Sequence, residues 1–409
     1  MMAKWPRSPA GSGPPFPRYW LSGFLADFGD GVRLAAFPLL AVQFSHSATA
    51  VAAVTAVQSL PGLVLGAGLG VLIDRSDRRR LMVGVNTVQA AVIAGLAVTI
   101  AMHGAGLALI YAAAFVTGTG SALRANAAVT CVPSVVGPEH LDQANGRVIA
   151  GQIIGNELAG PAAGGWLFGL AAVLPFALNA GALGVAGLLL LTLPSVFKPL
   201  PRPSGPDPVS PLGSIRRDLG DGVRWLRQHA DVRDLTIAVG VISAMDAAWF
   251  AILVLYVTEI LRQKPGAYGL LLAVAAAGGI AAGATGTRLT RRLGSWRSVL
   301  ITGTAMAVTQ AVLGLTANVI IAAVMLAASS AAFAVFNMTA VTMRQRLVPA
   351  PLLGRVTSLY ATVARGGETA GAIAGGSLAT AAGLRAPMLA GAVPIAAVTA
   401  VLAWRHRSG

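Results

Sequence analysis

The chain has 409 residues, 55% hydrophobic and 11% charged, and its 30 Lys and Arg against 15 Asp and Glu give a formal net charge of +15. A nucleic-acid binder reaches such a charge by spreading many cations over a polar surface, so this composition excludes one and is that of a membrane protein. Cys131 is the sole cysteine, which excludes an intramolecular disulfide, a thiolate metal cluster and a CxxC redox pair.

Residues 1–18 hold Pro6, Pro9, Pro14, Pro15 and Pro17 with Lys4, Arg7 and Arg18, and read as a disordered basic tail. The tail is no cleavable signal, because the apolar run behind it carries Asp27, Asp30 and Arg33 and continues past Leu40. Apolar stretches long enough to span a bilayer follow at 19–41, 49–73, 81–102, 105–128, 146–170 and 172–193, and again at 235–258, 267–287, 298–317, 319–342, 356–381 and 385–404. The reading is an all-α membrane protein with 12 transmembrane helices: a first half at 19–193, a second at 235–404, and a short tail at 405–409.

The linker, 194–234, opens with the proline-rich stretch 199–208 and then places Leu212, Ile215, Leu219, Val223, Leu226 and Ala230 at helical spacing, flanked by Arg216, Arg217, Arg224 and Arg227. Two readings stand for that helix: it lies on a leaflet with its arginines near anionic headgroups, or it is a solvated linker. Assigned to alternate sides, 24 of the 30 cations fall on the side of the two termini, which the positive-inside rule makes cytoplasmic.

The two sets of spans repeat one another. Asp30 and Asp246, Gly62 and Gly278, Gly70 and Gly286, Arg75 and Arg291, and Pro133 and Pro349 are each 216 apart, and Glu157 with the doublet Gly164-Gly165 matches Glu368 with Gly375-Gly376 at 211. Two six-helix halves in the same orientation imply a pseudo-two-fold axis along the membrane normal, with a cavity between them.

Gly70-Val-Leu-Ile-Asp74-Arg75-Ser-Asp-Arg78-Arg79, between spans two and three, resembles the loop signature of the major facilitator superfamily, and Gly286 with Arg291 belongs to a degenerate second copy. The stretch from Val132 to Arg147, followed by Gly160-Pro161-Ala-Ala-Gly164-Gly165, is similar to the branch that includes macrolide-efflux and enterobactin-export permeases. The resemblance covers about 19–404 and implies the major facilitator fold, in two pseudo-symmetric six-helix halves, moving solutes by alternating access. It also implies a cytoplasmic gate at Gly70, Asp74, Arg75, Arg78, Arg79, Gly286, Arg291 and Arg355, with Asp74 facing the start of helix 11 just after Arg355. A second reading makes these cations a topology determinant alone. Two departures stand out: Thr290 replaces the aspartate in the second copy, and Ala114 occupies the place, four before Gly118, where drug/proton antiporters of this superfamily often carry arginine.

Charges within spans are costly unless paired or hydrated. Asp30 with Arg33, and Arg365 with Glu368, are three apart and positioned to form intramembrane ion pairs. Asp27, Glu157 and Asp246 have no cation at i±3 or i±4 and are, with Asp30, the candidates for proton coupling. A structural alternative has Glu157 and Glu368 hydrogen-bonding across small-residue helix crossings. Arg124, near the end of span four, reads as a snorkelling cation. Gly160-Pro161 is expected to bend helix 5, with Gly164 and Gly165 giving close packing. Phe28, Gln58, Trp249, Phe336 and Asn337 are candidates for a substrate cavity that is mostly apolar.

No HExxH, GxSxG or nucleotide-binding motif occurs, so an intramembrane enzyme and direct ATP coupling are not expected. The function read from the sequence is a proton-coupled exporter of a hydrophobic or amphipathic small molecule, with no cofactor beyond the proton gradient. It is read as a functional monomer, multi-pass in the plasma or inner membrane. The alternatives are an uptake symporter or facilitator and, from another class, a non-transporting receptor.

Overall fold

A computed structural model describes residues 15–64, 77–132, 135–136, 140–193, 220 and 223–406. Twelve helical rods account for nearly all of them. They are α1 (Pro15–Phe44), α2 (Ala48–Val64), α3 (Arg78–Ala101), α4 (Leu107–Cys131), α5 (Leu141–Gln152, then a π-helical stretch Ile153–Ala159, then Gly160–Leu170) and α6 (Leu174–Leu191). The second set is α7 (Ala230–Phe250, bent by 43° into Leu253–Ile260), α8 (Pro265–Leu293), α9 (Ser295–Leu315), α10 (Val319–Leu347), α11 (Ala350–Ala382) and α12 (Ala386–Arg405).

The ends are set by local chemistry. Asp77 caps α3 by accepting from the Arg80 amide at 3.1 Å, and Asn318 caps α10 by accepting from the Ile320 and Ile321 amides at 2.8 and 3.2 Å. Proline occupies the first turn of α6, α8, α11 and α12, where no amide is needed. Gly294 and Gly383, with φ of 84° and 90°, end α8 and α11. Pro15 likewise opens α1, so the last four residues of the expected disordered tail are helical.

Among the described residues, seven helices are long and apolar enough to cross a membrane, and the bent α7 makes an eighth. The others are α1 and α11, which carry intramembrane charges, α2, which is described to Val64 only, and α5, which is interrupted. Helices that line a polar interior give up hydropathy.

Packing repeats with a six-helix period. In the first half α1 packs on α5 and α6, α3 on α4 and α6, and α2 on α4; in the second α7 packs on α11 and α12, α9 on α10 and α12, and α8 on α10. The halves meet along α2–α11 and α5–α8, which exchange under the same symmetry. The glycine doublets explain why. Gly164 packs on the Val32 backbone of α1 and Gly375 on the Ala248 backbone of α7, each within its own half. Gly165 packs on Gly269 of α8 and Gly376 on Ala48 and Ala52 of α2, each across the seam. One glycine of each doublet therefore serves a half and the other joins the halves, allowing backbone-to-backbone approach.

A Cβ added at Gly375 meets main-chain atoms that cannot rotate away, so Gly375→Val is expected to cost about 3 kcal/mol by overpacking. Gly366→Val, on the same helix with open space around it, serves as the control. Thermal unfolding in detergent distinguishes them, and equal melting of the two variants would refute the packing argument.

Pro161 lacks an amide, and its ring would crowd a carbonyl one turn back in a regular helix. The backbone answers with the π stretch, in which the Gly160 amide reaches the Gly155 carbonyl. Helix α11 has Ala372 at the matching place and runs unbroken.

A single apolar core joins both halves at one end of the bundle. It takes in Ala35–Ala41, Val51 and Ala52 of the first half with Trp249, Ile252–Val257, Tyr268 and Ala379 of the second. At the end holding the chain termini the cores are separate: Phe16, Tyr19, Met82 and Cys131 form one, and Leu235, Met343, Tyr360 and Leu402 belong to another. The bundle is thus closed at the far end and divided at the terminal end.

Candidate functional site

A cavity of about 540 Å³ opens in the divided end of the first half, between α1, α3, α4 and α5. Trp20, Phe24, Met82, Val148 and Ile149 give it apolar walls, while Asp27, Asp30, Ser121 and Arg124, with Asn145, Gln152 and Asn156 of α5, supply its polar part. The aromatic wall is the Trp20–Phe24 stack on α1, with centroids 5.5 Å apart; the stack continues to Phe28 at 6.4 Å from Phe24, but Phe28, an expected cavity residue, is not among those that line the cavity. Tyr19 and Trp20 also tie α1 down, donating to the carbonyls of Ala128 at 3.0 Å and Arg147 at 2.9 Å.

The polar part is a four-charge cluster. Arg33 donates to Asp30 at 2.9 Å and to Ser121 at 3.1 Å, and Ser121 donates to the other Asp30 oxygen at 2.8 Å. Arg124 pairs with that same Asp30 oxygen and with Asp27 at 3.3 Å. Two carboxylates and two guanidiniums make the cluster formally neutral, which offsets the desolvation penalty of each member. Their side chains differ in exposure, 2% for Arg33, 7% for Arg124, 11% for Asp30 and 23% for Asp27, so Asp27 is the member most open to the cavity. Gln89, fully buried, backs the group: it accepts from Arg124 at 3.5 Å and donates to the Thr117 carbonyl at 2.7 Å.

Two expectations change here. Arg124 does not snorkel but sits buried as the bridge between the two aspartates, and Asp27 is not without a cation. The partner comes from another helix 97 residues away, which local spacing cannot reveal. One signal was present in the sequence: Arg124 breaks the repeat, its partner at 216 being Ala340.

Residues 12–407 match the family described as transmembrane secretion effectors. The chain belongs to this family of the major facilitator superfamily. Among characterised relatives, the chain is similar to the multidrug efflux pump Tap of Mycolicibacterium fortuitum, 26% identical over 385 residues and covering 90% of each chain. Its fold is similar to three solved transporters, each with a TM-score of 0.71. They are the nucleoside transporter NupG (12% identity, 96% of this chain and 98% of that one), a bacterial homologue of Spinster (16%, 98% of both) and a bacterial homologue of ferroportin (19%, 95% and 98%). A membrane transporter and not an enzyme is what the family describes, with a small molecule as its substrate.

In this secretion effector the second half repeats the charge cluster only in part. Asp246 accepts from Trp249 at 3.2 Å, the counterpart of Asp30 and Arg33 with the cation replaced by an indole. Arg365 and Glu368 do not approach within ion-pairing distance. The Arg365 guanidinium instead lies against Gly62 of α2, where a Cβ would stand 2.7 Å from Nη1. Glu157 and Glu368 are exposed, and it is the glycines beside them that face the helix crossings, so the reading of these glutamates as bonds across a crossing gives way.

Phe336 is buried in the core of the second half and Trp249 in the shared core, which removes both from a cavity wall. Gln58 lies beneath Gly118 at the α2–α4 crossing, and Asn337 is exposed on α10.

Of the expected gate, Gly70, Asp74 and Arg75 lie outside the described residues. Arg79 works within one half: it donates to the Leu190 carbonyl at 2.9 Å and to that of Leu191, capping α6. Arg78 is buried, Gly286 packs on Val335 and Met338, and Arg291 is exposed. Helix α11 starts at Ala350, so Arg355 lies inside the helix and not before its start. Leu212, Ile215 and Leu219 of the linker's apolar stripe lie outside the described residues, and its described end packs Trp225 and Leu226 against Val348, Leu352 and Leu353 of the second half.

Proposed function

We propose that this transporter exports hydrophobic or amphipathic small molecules, with proton antiport through Asp27. The observation that carries the reading is the cavity of about 540 Å³ whose walls are mostly apolar and whose charged part is the Asp27–Arg124–Asp30 bridge, with Asp27 partly exposed to it. Apolar walls with a few fixed charges suit an amphipathic solute. Asp30 is held by both arginines and Ser121, whereas Asp27 has one longer contact and faces the cavity. A proton on Asp27 weakens its hold on Arg124 and leaves Asp30 as the only full counter-ion, so proton occupancy and cation position are linked. The similarity to a multidrug efflux pump supports the export direction.

The surplus of cations on the side of the termini supports a cytoplasmic location for both ends. With that orientation the divided end opens inward, the state in which an exporter loads. Asp246 in the second half and Glu157 on α5 remain as secondary proton-coupling candidates.

The test is flux in proteoliposomes with an imposed pH gradient, using a panel of toxic amphipathic compounds. Parent protein moves substrate against the proton flow, and Asp27→Asn lowers gradient-driven flux by about tenfold or more while substrate binding persists. Flux that ignores the gradient, or an Asp27→Asn variant as fast as the parent, refutes antiport through this residue.

A further inference from the structure

A second concavity, of about 490 Å³, lies on the outer surface of the first half between α3 and α4. Leu81, Val85, Val88, Phe115, Val116 and Leu123 make it almost wholly apolar, and Val88 and Phe115 are 54% and 42% exposed at its rim. Gly84 forms its floor with open space above it, since a Cβ there meets no atom within 4 Å. The sole charge at the groove is Arg80, at the end nearest the chain termini, with its side chain 90% exposed. Asp77 approaches Arg80 Nε at 4.0 Å, leaving the other guanidinium nitrogens to the surroundings. From Arg80 to Val88 the groove follows α3 for about 12 Å, at 1.5 Å per residue.

In a chain that lives in a bilayer, an open apolar slot along a helix pair with one cation at its membrane-surface end fits a particular shape. We propose that this groove binds an anionic phospholipid, its acyl chain lying over Gly84 between Val88 and Phe115 and its phosphate paired with Arg80. Charge complementarity decides the headgroup: the mouth offers a guanidinium, which matches phosphate geometry, while the two polar side chains along the slot are engaged within the bundle, Thr119 donating to the Phe115 carbonyl and Gln89 to that of Thr117. The groove's inner wall includes Gln89, the residue that accepts from Arg124. A lipid chain seated there touches the back of the four-charge cluster from the membrane side, so lipid occupancy and the position of Arg124 share one side chain. Gly120 on the same wall packs directly on Gln89 and leaves it no room to withdraw.

The test uses the full-length protein in detergent, titrated with phosphatidylglycerol or with phosphatidylcholine of the same chain length, and counts retained lipids by native mass spectrometry. The expected result is one tightly held phosphatidylglycerol per chain that phosphatidylcholine does not replace. Gly84→Leu, which fills the slot without meeting the fold, weakens retention by about tenfold, and Arg80→Gln, a change at an exposed side chain, removes the preference for phosphatidylglycerol. Equal retention of both lipids by the parent, unchanged retention in Gly84→Leu, or a lipid-free dimer as the species that covers this face would each overturn the proposal.

Discussion

Arg124→Leu is expected to lose about 3–5 kcal/mol of stability and all gradient-driven transport, the largest effect of any single change in the charge cluster. The reason is the arithmetic of charge in a low-dielectric interior. Arg124 alone contacts Asp27 and shares Asp30 with Arg33. Its removal leaves two carboxylates against one guanidinium, on side chains 11% and 23% exposed. A second variant separates stability from function: Arg124→Leu with Asp27→Asn restores neutrality and keeps the Asp30–Arg33 pair. It is expected to regain most of the lost stability while remaining uncoupled, giving a large interaction energy in the double-mutant cycle. Melting in detergent and flux in proteoliposomes read the two quantities. If Arg124→Leu melts with the parent, the cluster is not what holds α1 to α4.

The fold was largely legible in the sequence because its signals are long or repeated. Twelve apolar stretches appear as helices, and the repeat offset that pairs Gly165 with Gly376 survives as packing: the second glycine of each doublet lies on the seam between halves. The site was legible only where it is local. Asp30 and Arg33 share a helix face, so their spacing pointed to the contact. The bridge from Arg124 to Asp27 crosses between helices, and Arg365 turns toward Gly62 of the other half and away from Glu368. Such contacts depend on helix rotation, which hydropathy does not fix when a helix is apolar around most of its circumference. The same ambiguity placed Phe336 at a cavity that the structure gives instead to Trp20 and Phe24.

Locking the closed end is expected to stop transport outright. Thr49 at the start of α2 and Thr380 near the end of α11 meet across the seam with their hydroxyls 2.8 Å apart, and the Thr49 amide donates to Thr380 at 3.1 Å. Side-chain oxygens in such contact place the β-carbons near the separation that a disulfide needs, so Thr49→Cys with Thr380→Cys should cross-link on mild oxidation. The background is favourable, because the native Cys131 is fully buried in the core of the first half. Alternating access requires the α2–α11 seam to part at this end before substrate can leave there. The oxidised double variant should therefore lose flux by about a hundredfold, since a covalent bond removes the open population, and dithiothreitol should restore it. Each single cysteine should transport normally under both conditions, which separates locking from damage to α2 or α11. A cross-linked protein that still carries substrate down the gradient would mean that the halves do not separate here. The pseudo-two-fold seam, with Gly165 on Gly269 and Gly376 on Ala52, would then be a fixed joint, and the moving contact would have to be sought within a half.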